Sequence, residues 1–167
     1  STERERIISQ ITGPEDVLVL FGGIGPFPIC ISKKRPDVTA LSIELNPDAH
    51  RYCLENIRLN KLEGRVSAIL GDVREVAPSL GKQFDRVLTP LPKGAYLFLD
   101  VIVPTVKPGG ILHHYHWASD LDSYSEAYTL VDEAAAKYGR KTEFLGGVRV
   151  AKYSPRVSKV RIDVRIY

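Results

Sequence analysis

The sequence predicts an α/β protein built on a doubly wound, mostly parallel sheet, and three observations predict it. Short, nearly continuous apolar runs alternate with helix-period segments, a glycine-rich turn closes the first run, and the last two runs follow one another with no helix between them. Strands buried on both faces require such continuous runs, and two consecutive strands at the end imply an antiparallel hairpin added to one edge.

Thr2 and Glu5 stand in the Thr-x-x-Glu order of a capping box, so a first helix is expected at once, closed by Gly13-Pro14. The strand candidates are Val17 to Phe21, Val38 to Ile43, Val66 to Leu70, Phe84 to Leu88 and Ile111 to Tyr115. Between them, Ala49, Tyr52, Cys53 and Ile57 share one helical face, as do Ala95, Phe98, Leu99, Ile102, Val103 and Val106. A third helical stripe runs from Tyr124 through Val131 to Tyr138, with Gly139 as its stop. Glu143 to Val150 and Val157 to Tyr167 read as the terminal strands. The second alternates Val160, Ile162, Val164 and Ile166 on one face with Arg161, Asp163 and Arg165 on the other.

Composition narrows the class. The 167 residues are 44% hydrophobic and 26% charged, enough for a single domain spanning 1–167 whose core needs neither disulfides nor metal. Cys30 and Cys53 form no Cys-x-x-Cys and no Cys/His ligand pattern, which predicts small buried residues and a reducing, cytoplasmic setting. The longest uncharged run, Val17 to Ser32, has 16 residues broken by three glycines and two prolines, too short to span a bilayer. A chain that begins at Ser1 and holds no Met is expected to be the carboxyl-terminal part of a longer protein. Net charge is +3, but residues 1–136 carry 14 Lys/Arg against 18 Asp/Glu while residues 137–167 carry 9 against 2. Arg149, Lys152, Arg156, Lys159, Arg161 and Arg165 in that last fifth make either a solvated face or a surface for a phosphate-rich partner.

The chemistry starts at Phe21-Gly-Gly-Ile-Gly-Pro-Phe27, where the first strand meets a helix. Glycines there let the backbone turn tightly and approach a ligand at the carboxyl end of the sheet. Glu44 ends the second strand 19 residues after Gly25, where a carboxylate can accept both hydroxyls of a ribose. Asp72 follows the third strand and can accept from an exocyclic amine. Each acid is also an ordinary turn or capping residue. The third glycine of a dinucleotide fingerprint is replaced by Pro28, and no Walker lysine follows, so pyrophosphate is poorly served. An adenosine ligand without pyrophosphate remains, and S-adenosylmethionine fits. His113, His114 and His116 form no metal site, because strand alternation sends His113 away from the other two.

Glu-Arg-x-Arg-Ile (Glu3 to Ile7), the glycine turn, Ser42 to Ala49, Glu55 to Lys61, Leu70 to Glu75, Leu91 to Ala95 and Tyr153 to Val157 together resemble the archaeal and eukaryotic tRNA (guanine-N1) methyltransferases that modify position 37. These are relatives of the wybutosine-pathway aminocarboxypropyltransferases, and the resemblance spans essentially the whole chain. It implies a class I S-adenosylmethionine-dependent methyltransferase sheet with Rossmann-like winding. Phe21, Gly23, Gly25, Glu44, Leu45, Asn46, Asp72, Val73, Pro90 and Leu91 would line the cofactor. Glu3 would be the general base and Pro92 a second catalytic position. Lys93, Arg149, Lys152 and Arg156 would meet the anticodon stem-loop of a tRNA, and the protein would act as a monomer away from membranes. It also implies an upstream tRNA-binding domain outside this sequence.

Two positions depart from the pattern. Val19 stands where class I methyltransferases usually carry a first-strand acid, and Pro90 replaces the asparagine of the family's Asn-Leu-Pro-Lys motif, removing both the amide and a backbone donor. Two other readings therefore stay open: aminocarboxypropyl transfer at the same tRNA position, and an RNA-binding module on a methyltransferase fold without catalysis.

Overall fold

The computed structural model describes residues 2–91, 93–122 and 124–167. Along the chain run α1 (Glu3–Ser9), β1 (Glu15–Leu20), α2 (Pro26–Lys34), β2 (Val38–Glu44), α3 (Pro47–Leu59), β3 (Val66–Leu70), α4 (Val73–Ser79) and β4 (Phe84–Thr89). A single-turn α5 (Leu99–Ile102), β5 (Val106–Ser119), α6 (Ser125–Ala136), β6 (Thr142–Ser154) and β7 (Val157–Ile166) complete it. The strands form one sheet in the order β3-β2-β1-β4-β5-β7-β6. The first five are parallel, and β7 runs antiparallel to both of its neighbours. The doubly wound sheet with its antiparallel terminal hairpin is the expected one.

Alternation along buried strands gives the sheet a core on each face. In β1, Leu18 and Leu20 join Val87, Ile102, Leu112 and Val131 on one side, while Val17 and Val19 join Ile7, Ile31, Cys53 and Leu88 on the other. The reversal of strand order falls between β1 and β4, and the crevice outside their carboxyl ends is where open α/β sheets bind ligands.

Four local outcomes differ from the periodicity. The helix expected from Ala95 to Val106 breaks into a 3-10 turn (Ala95–Phe98), α5 and a second 3-10 turn (Val103–Thr105). Pro104 has no N–H for a continuing ladder, and Val106 already belongs to β5. Seven-residue α4 carries no long apolar stripe and is set by its Asp72 cap. The first helix stops at Ser9, short of Gly13-Pro14. The hairpin places β7 inside and β6 at the edge, where no β6 residue is buried. Arg161 and Asp163 are therefore covered, at 4% and 7% exposure, and Arg161 is withdrawn from the expected basic surface. The capping box at Thr2 is present, and Gly139, at φ 68°, ends α6 with the Arg140 N–H donating to the Ala135 carbonyl. No helix among the described residues is long and apolar enough to cross a membrane.

Candidate active site

Three loops at the carboxyl ends of β1, β2 and β3 are knitted together by backbone. Gly22 N–H donates to the Ile43 carbonyl and Gly71 N–H to the Glu44 carbonyl, each at 2.9 Å. Within the glycine turn each glycine has its own reason. A side chain at Gly22 would collide with Ser42 Oγ, and one at Gly25 would lie 2.8 Å from Cys53 Sγ. Gly23 is different: its φ of 60° favours glycine, yet a Cβ there meets nothing within 4 Å. Gly23 thus borders open space, which is the condition for close approach of a ligand to the main chain.

Glu44 closes that space from β2. Its Oε1 accepts from Gly23 N–H at 2.8 Å and its Oε2 from Asn46 N–H at 2.7 Å. A carboxylate has about four lone-pair sites, so each oxygen keeps one for a ribose hydroxyl. Beside it Leu45 is 67% exposed, an apolar surface for the face of a purine. Asn46 and Asp72 serve as helix caps: Asn46 Oδ1 accepts from the N–H groups of Asp48 and Ala49, and Asp72 Oδ1 from that of Arg74. What they retain for a ligand is the Asn46 amide N–H group and the second Asp72 oxygen. Val73 buries its side chain in the core and offers the site only backbone. Phe21, at φ 60°, packs edge-on against Phe98 with ring centroids 5.1 Å apart. Pro90 and Leu91 leave the end of β4, next to β1, so the predicted cofactor residues all lie at or just beyond the carboxyl ends of β1, β2, β3 and β4. Pro92 lies outside the described residues. Val19 is fully buried among apolar neighbours and brings no carboxylate.

Glu3 reaches the same end of the sheet from α1. The Tyr115 hydroxyl donates to Glu3 Oε2 at 2.6 Å, and Arg161 Nη1 donates to Oε1 at 2.5 Å. Tyr115 follows His114, which pairs with Thr89 at the last position of β4, so this carboxylate stands level with the mouth of the crevice. Burial, and then the Glu3 carboxylate, push the Tyr115 phenol well above its usual range, so it remains a donor.

Behind Arg161 lies a buried polar chain that the sequence did not announce. Arg161 Nε donates to Asp163 Oδ1 at 2.9 Å, His113 Nδ1 donates to the same oxygen at 2.6 Å, and Gln10 Nε2 donates to Oδ2 at 3.0 Å. Arg86 Nη1 lies 2.7 Å from His113 Nε2 while its Nε donates to Glu15. Arginine has no acceptor, so His113 is neutral and carries its proton on Nδ1. Burial lowers its basicity in the same direction. Burial alone would raise the Asp163 carboxyl, but the hydrogen bonds from His113 and Arg161 and the Arg161 charge outweigh it and hold it below the usual carboxylate range. Tyr115 and Arg161 were missed as site residues because 112 and 158 positions separate them from Glu3. The one available signal was the polar face of β7.

Of the basic residues expected to meet RNA, Arg149 and Lys152 are both paired with Asp120, at 3.6 and 2.6 Å. Lys93 Nζ lies over the Trp117 ring, 5.7 Å from its centroid. Arg156 is exposed at the β6–β7 turn, with no ion pair among the described residues. His114 and His116 share one face and His113 the other; no group of three His, Cys, Asp or Glu side chains among the described residues has metal-binding proximity.

Comparison with known proteins places the chain in a family. The model of the TRM5/TYW2 methyltransferase domain matches residues 1–144. The tRNA (guanine(37)-N(1))-methyltransferase Trm5b of Pyrococcus abyssi is 37% identical over 166 residues, covering 99% of this chain and 48% of that protein. A tRNA(Phe) (4-demethylwyosine(37)-C(7)) aminocarboxypropyltransferase of Methanocaldococcus jannaschii is 32% identical, covering 98% and 64%. The crystal structure of M. jannaschii TYW2 in complex with AdoMet superposes with a TM-score of 0.89 at 30% identity, covering 98% of this chain and 74% of that one. The chain thus spans about half the length of Trm5b. With a model that fits the sequence from the Glu3 helix to the start of β6, and with relatives this similar along its whole length, the chain belongs to the TRM5/TYW2 methyltransferase domain family.

Proposed function

We propose that this chain is the catalytic part of a tRNA methyltransferase that uses S-adenosylmethionine to methylate N1 of guanosine 37. The observation that carries the reading is Glu3: a carboxylate at the carboxyl end of the sheet, held by Tyr115 of β5 and Arg161 of β7 and with a side chain still 15% exposed. Relatives named for this reaction and a structural neighbour described with AdoMet support it.

The residues present fit the cofactor: open space over Gly23, a spare lone pair on each Glu44 oxygen, and the exposed Leu45. S-adenosylmethionine, when bound, supplies an electrophilic methyl group. The protein's own work is alignment and proton removal, because guanine N1 carries a proton that must leave as the new bond forms. Arg161 and, at 3.6 Å, Arg6 hold Oε1 of Glu3, while Tyr115 takes one lone pair of Oε2 and leaves a second, so the carboxylate is fixed in orientation while Oε2 is able to accept that proton. Lys93 and Arg156 would meet the phosphates of the anticodon arm. Arg149 and Lys152 would do so only in exchange for Asp120.

The test is transfer of labelled methyl from S-adenosylmethionine to tRNA transcripts carrying guanosine or adenosine at position 37. Label only with guanosine is expected, and Glu3→Gln should lower transfer about 10²- to 10⁴-fold, the range general-base catalysis contributes, without weakening cofactor binding. Label arriving only from the carboxyl carbon of the cofactor would identify aminocarboxypropyl transfer instead. RNA binding with no transfer of either group would make this a binding module.

A further inference from the structure

Beyond the residues of the crevice, the outer ends of β5 and β6 carry an aromatic stack that the catalytic reading does not use. Trp117 and Tyr153 lie face to face with centroids 4.3 Å apart and planes 26° from parallel. Trp117 is half-buried and Tyr153 is 65% exposed, so one face of the Tyr153 ring rests on Trp117 while the other is open. Trp117 is two residues beyond Tyr115 on β5, hence on the same face of the sheet as Glu3 and about 7 Å farther out, at the strand's rise of roughly 3.4 Å per residue. Lysines flank this row: Lys93 Nζ sits over Trp117 and Lys159 Nζ over Tyr115, 5.6 Å from its centroid. Arg156 projects from the turn that follows Tyr153.

The geometry points to this stack as a platform for an unpaired RNA base, with Lys93 and Arg156 on the flanking phosphates; this rests on the proposed action on a tRNA loop. An open aromatic face accepts any base by stacking, and interleaved cations neutralise the backbone that delivers it. A single exposed tyrosine would be unremarkable; here its ring is backed by a tryptophan that itself carries Lys93 over its ring, and it is set on the same face as the candidate base. The Tyr-x-Pro-Arg-Val segment thereby has a physical role: Tyr153 stacks, Pro155 belongs to the turn, and Arg156 supplies charge. The occupant is a single-stranded loop rather than a duplex, because paired bases have no free face to offer.

Anisotropy of a fluorescein-labelled anticodon stem-loop RNA tests it, with a blunt RNA duplex of equal length as comparison. Tyr153→Ala should weaken stem-loop binding about 10-fold, within the roughly 5- to 160-fold that loss of one stacked base produces. Tyr153→Phe should hold within about twofold, and duplex binding should be unchanged in both. The salt dependence of Tyr153→Ala should match that of the unaltered chain, while Lys93→Ala should lower the slope of log K against log salt by about 0.7 to 0.9. Emission of Trp117, the single tryptophan of the chain, should change on adding the stem-loop. Unchanged stem-loop affinity in Tyr153→Ala, or an equal loss for duplex, overturns the platform. Methyl transfer scores the catalytic reading separately: activity on an RNA whose affinity ignores Tyr153→Ala defeats the platform alone, and the Tyr153 loss without transfer defeats the catalytic reading alone.

Discussion

Asp163→Asn isolates the buried polar chain behind the candidate base. The side chain keeps its size but loses its charge, and of its four contacts, from His113, Gln10 and two Arg161 nitrogens, at least one would then face an amide N–H group. Arg161 would be left with Glu3 as its remaining anionic partner. Removing one member of a buried pair costs about 3–5 kcal/mol, and a chain of this length loses roughly 2–4 °C of Tm per kcal/mol, so a fall of about 6–20 °C is expected at pH 7. That is a large part of the roughly 5–15 kcal/mol that holds a domain folded. The folded Asp163 carboxyl is depressed, so its contribution is complete above the unfolded value near 4 and fades as pH falls below it. Melting followed by circular dichroism at pH 7, 5 and 3.5 should show a gap between the two proteins that is constant at the first two values and narrows at the third. A Tm within 2 °C of the unaltered chain at pH 7 would refute the claim that this carboxylate balances buried donors.

Two further predictions follow from the same structure. Gly23→Ala should weaken S-adenosylmethionine more than 10-fold in calorimetry while costing only about 1–2 kcal/mol of stability, since its Cβ meets open space at a left-handed φ; Gly25→Ala, with Cys53 and Ile29 in the way, should lose stability as well. Burial, and secondarily His116, lower the His114 ring to about 3, and burial lowers His113 too. The unfolded chain therefore binds more protons below about pH 6.5, and stability drops as pH falls, by about 2 kcal/mol for His114 alone between pH 7 and 5. Equal urea midpoints at pH 7 and pH 5 would contradict this.

The sheet was legible because each parallel strand holds a nearly continuous apolar run and the loops after β1, β2 and β3 carry signals: Gly23, Glu44, Asp72. Gly23, Glu44 and Asp72 lie within a few positions of those strand ends, so local spacing marks them as candidates, whereas Leu45, Pro90 and Leu91 came only from the family resemblance. Sequence could not separate their two roles. Asn46 and Asp72 cap helices with one oxygen, and only the coordinates show what each side chain has left over. The clamp on Glu3 was illegible for a different reason. Its partners come from β5 and β7, and the polar alternation of Arg161 and Asp163 means solvent on an edge strand but a buried network on an interior one. Which case holds depends on β6 lying outside β7, a long-range fact with no local mark.

The placement of Glu3 shows what such a network does for the proposed catalytic carboxylate. A helix as short as α1, seven residues, has too few hydrogen bonds to hold itself in water, and its place must come from tertiary contacts. Ile7 and Ile8 bury one side of it, Arg35 donates to the Ile8 and Ile11 carbonyls, and Arg161 seizes Glu3 directly. Arg161 can do this only if its own guanidinium is fixed, and Asp163, backed by His113 and Gln10, fixes it with two hydrogen bonds. Methyl transfer demands alignment before proton removal. A base on a freely rotating first-turn side chain would lose that alignment to entropy, so the polar interior of β5 and β7 acts as the frame that holds Glu3, and with it a short surface helix, in place at the candidate active site.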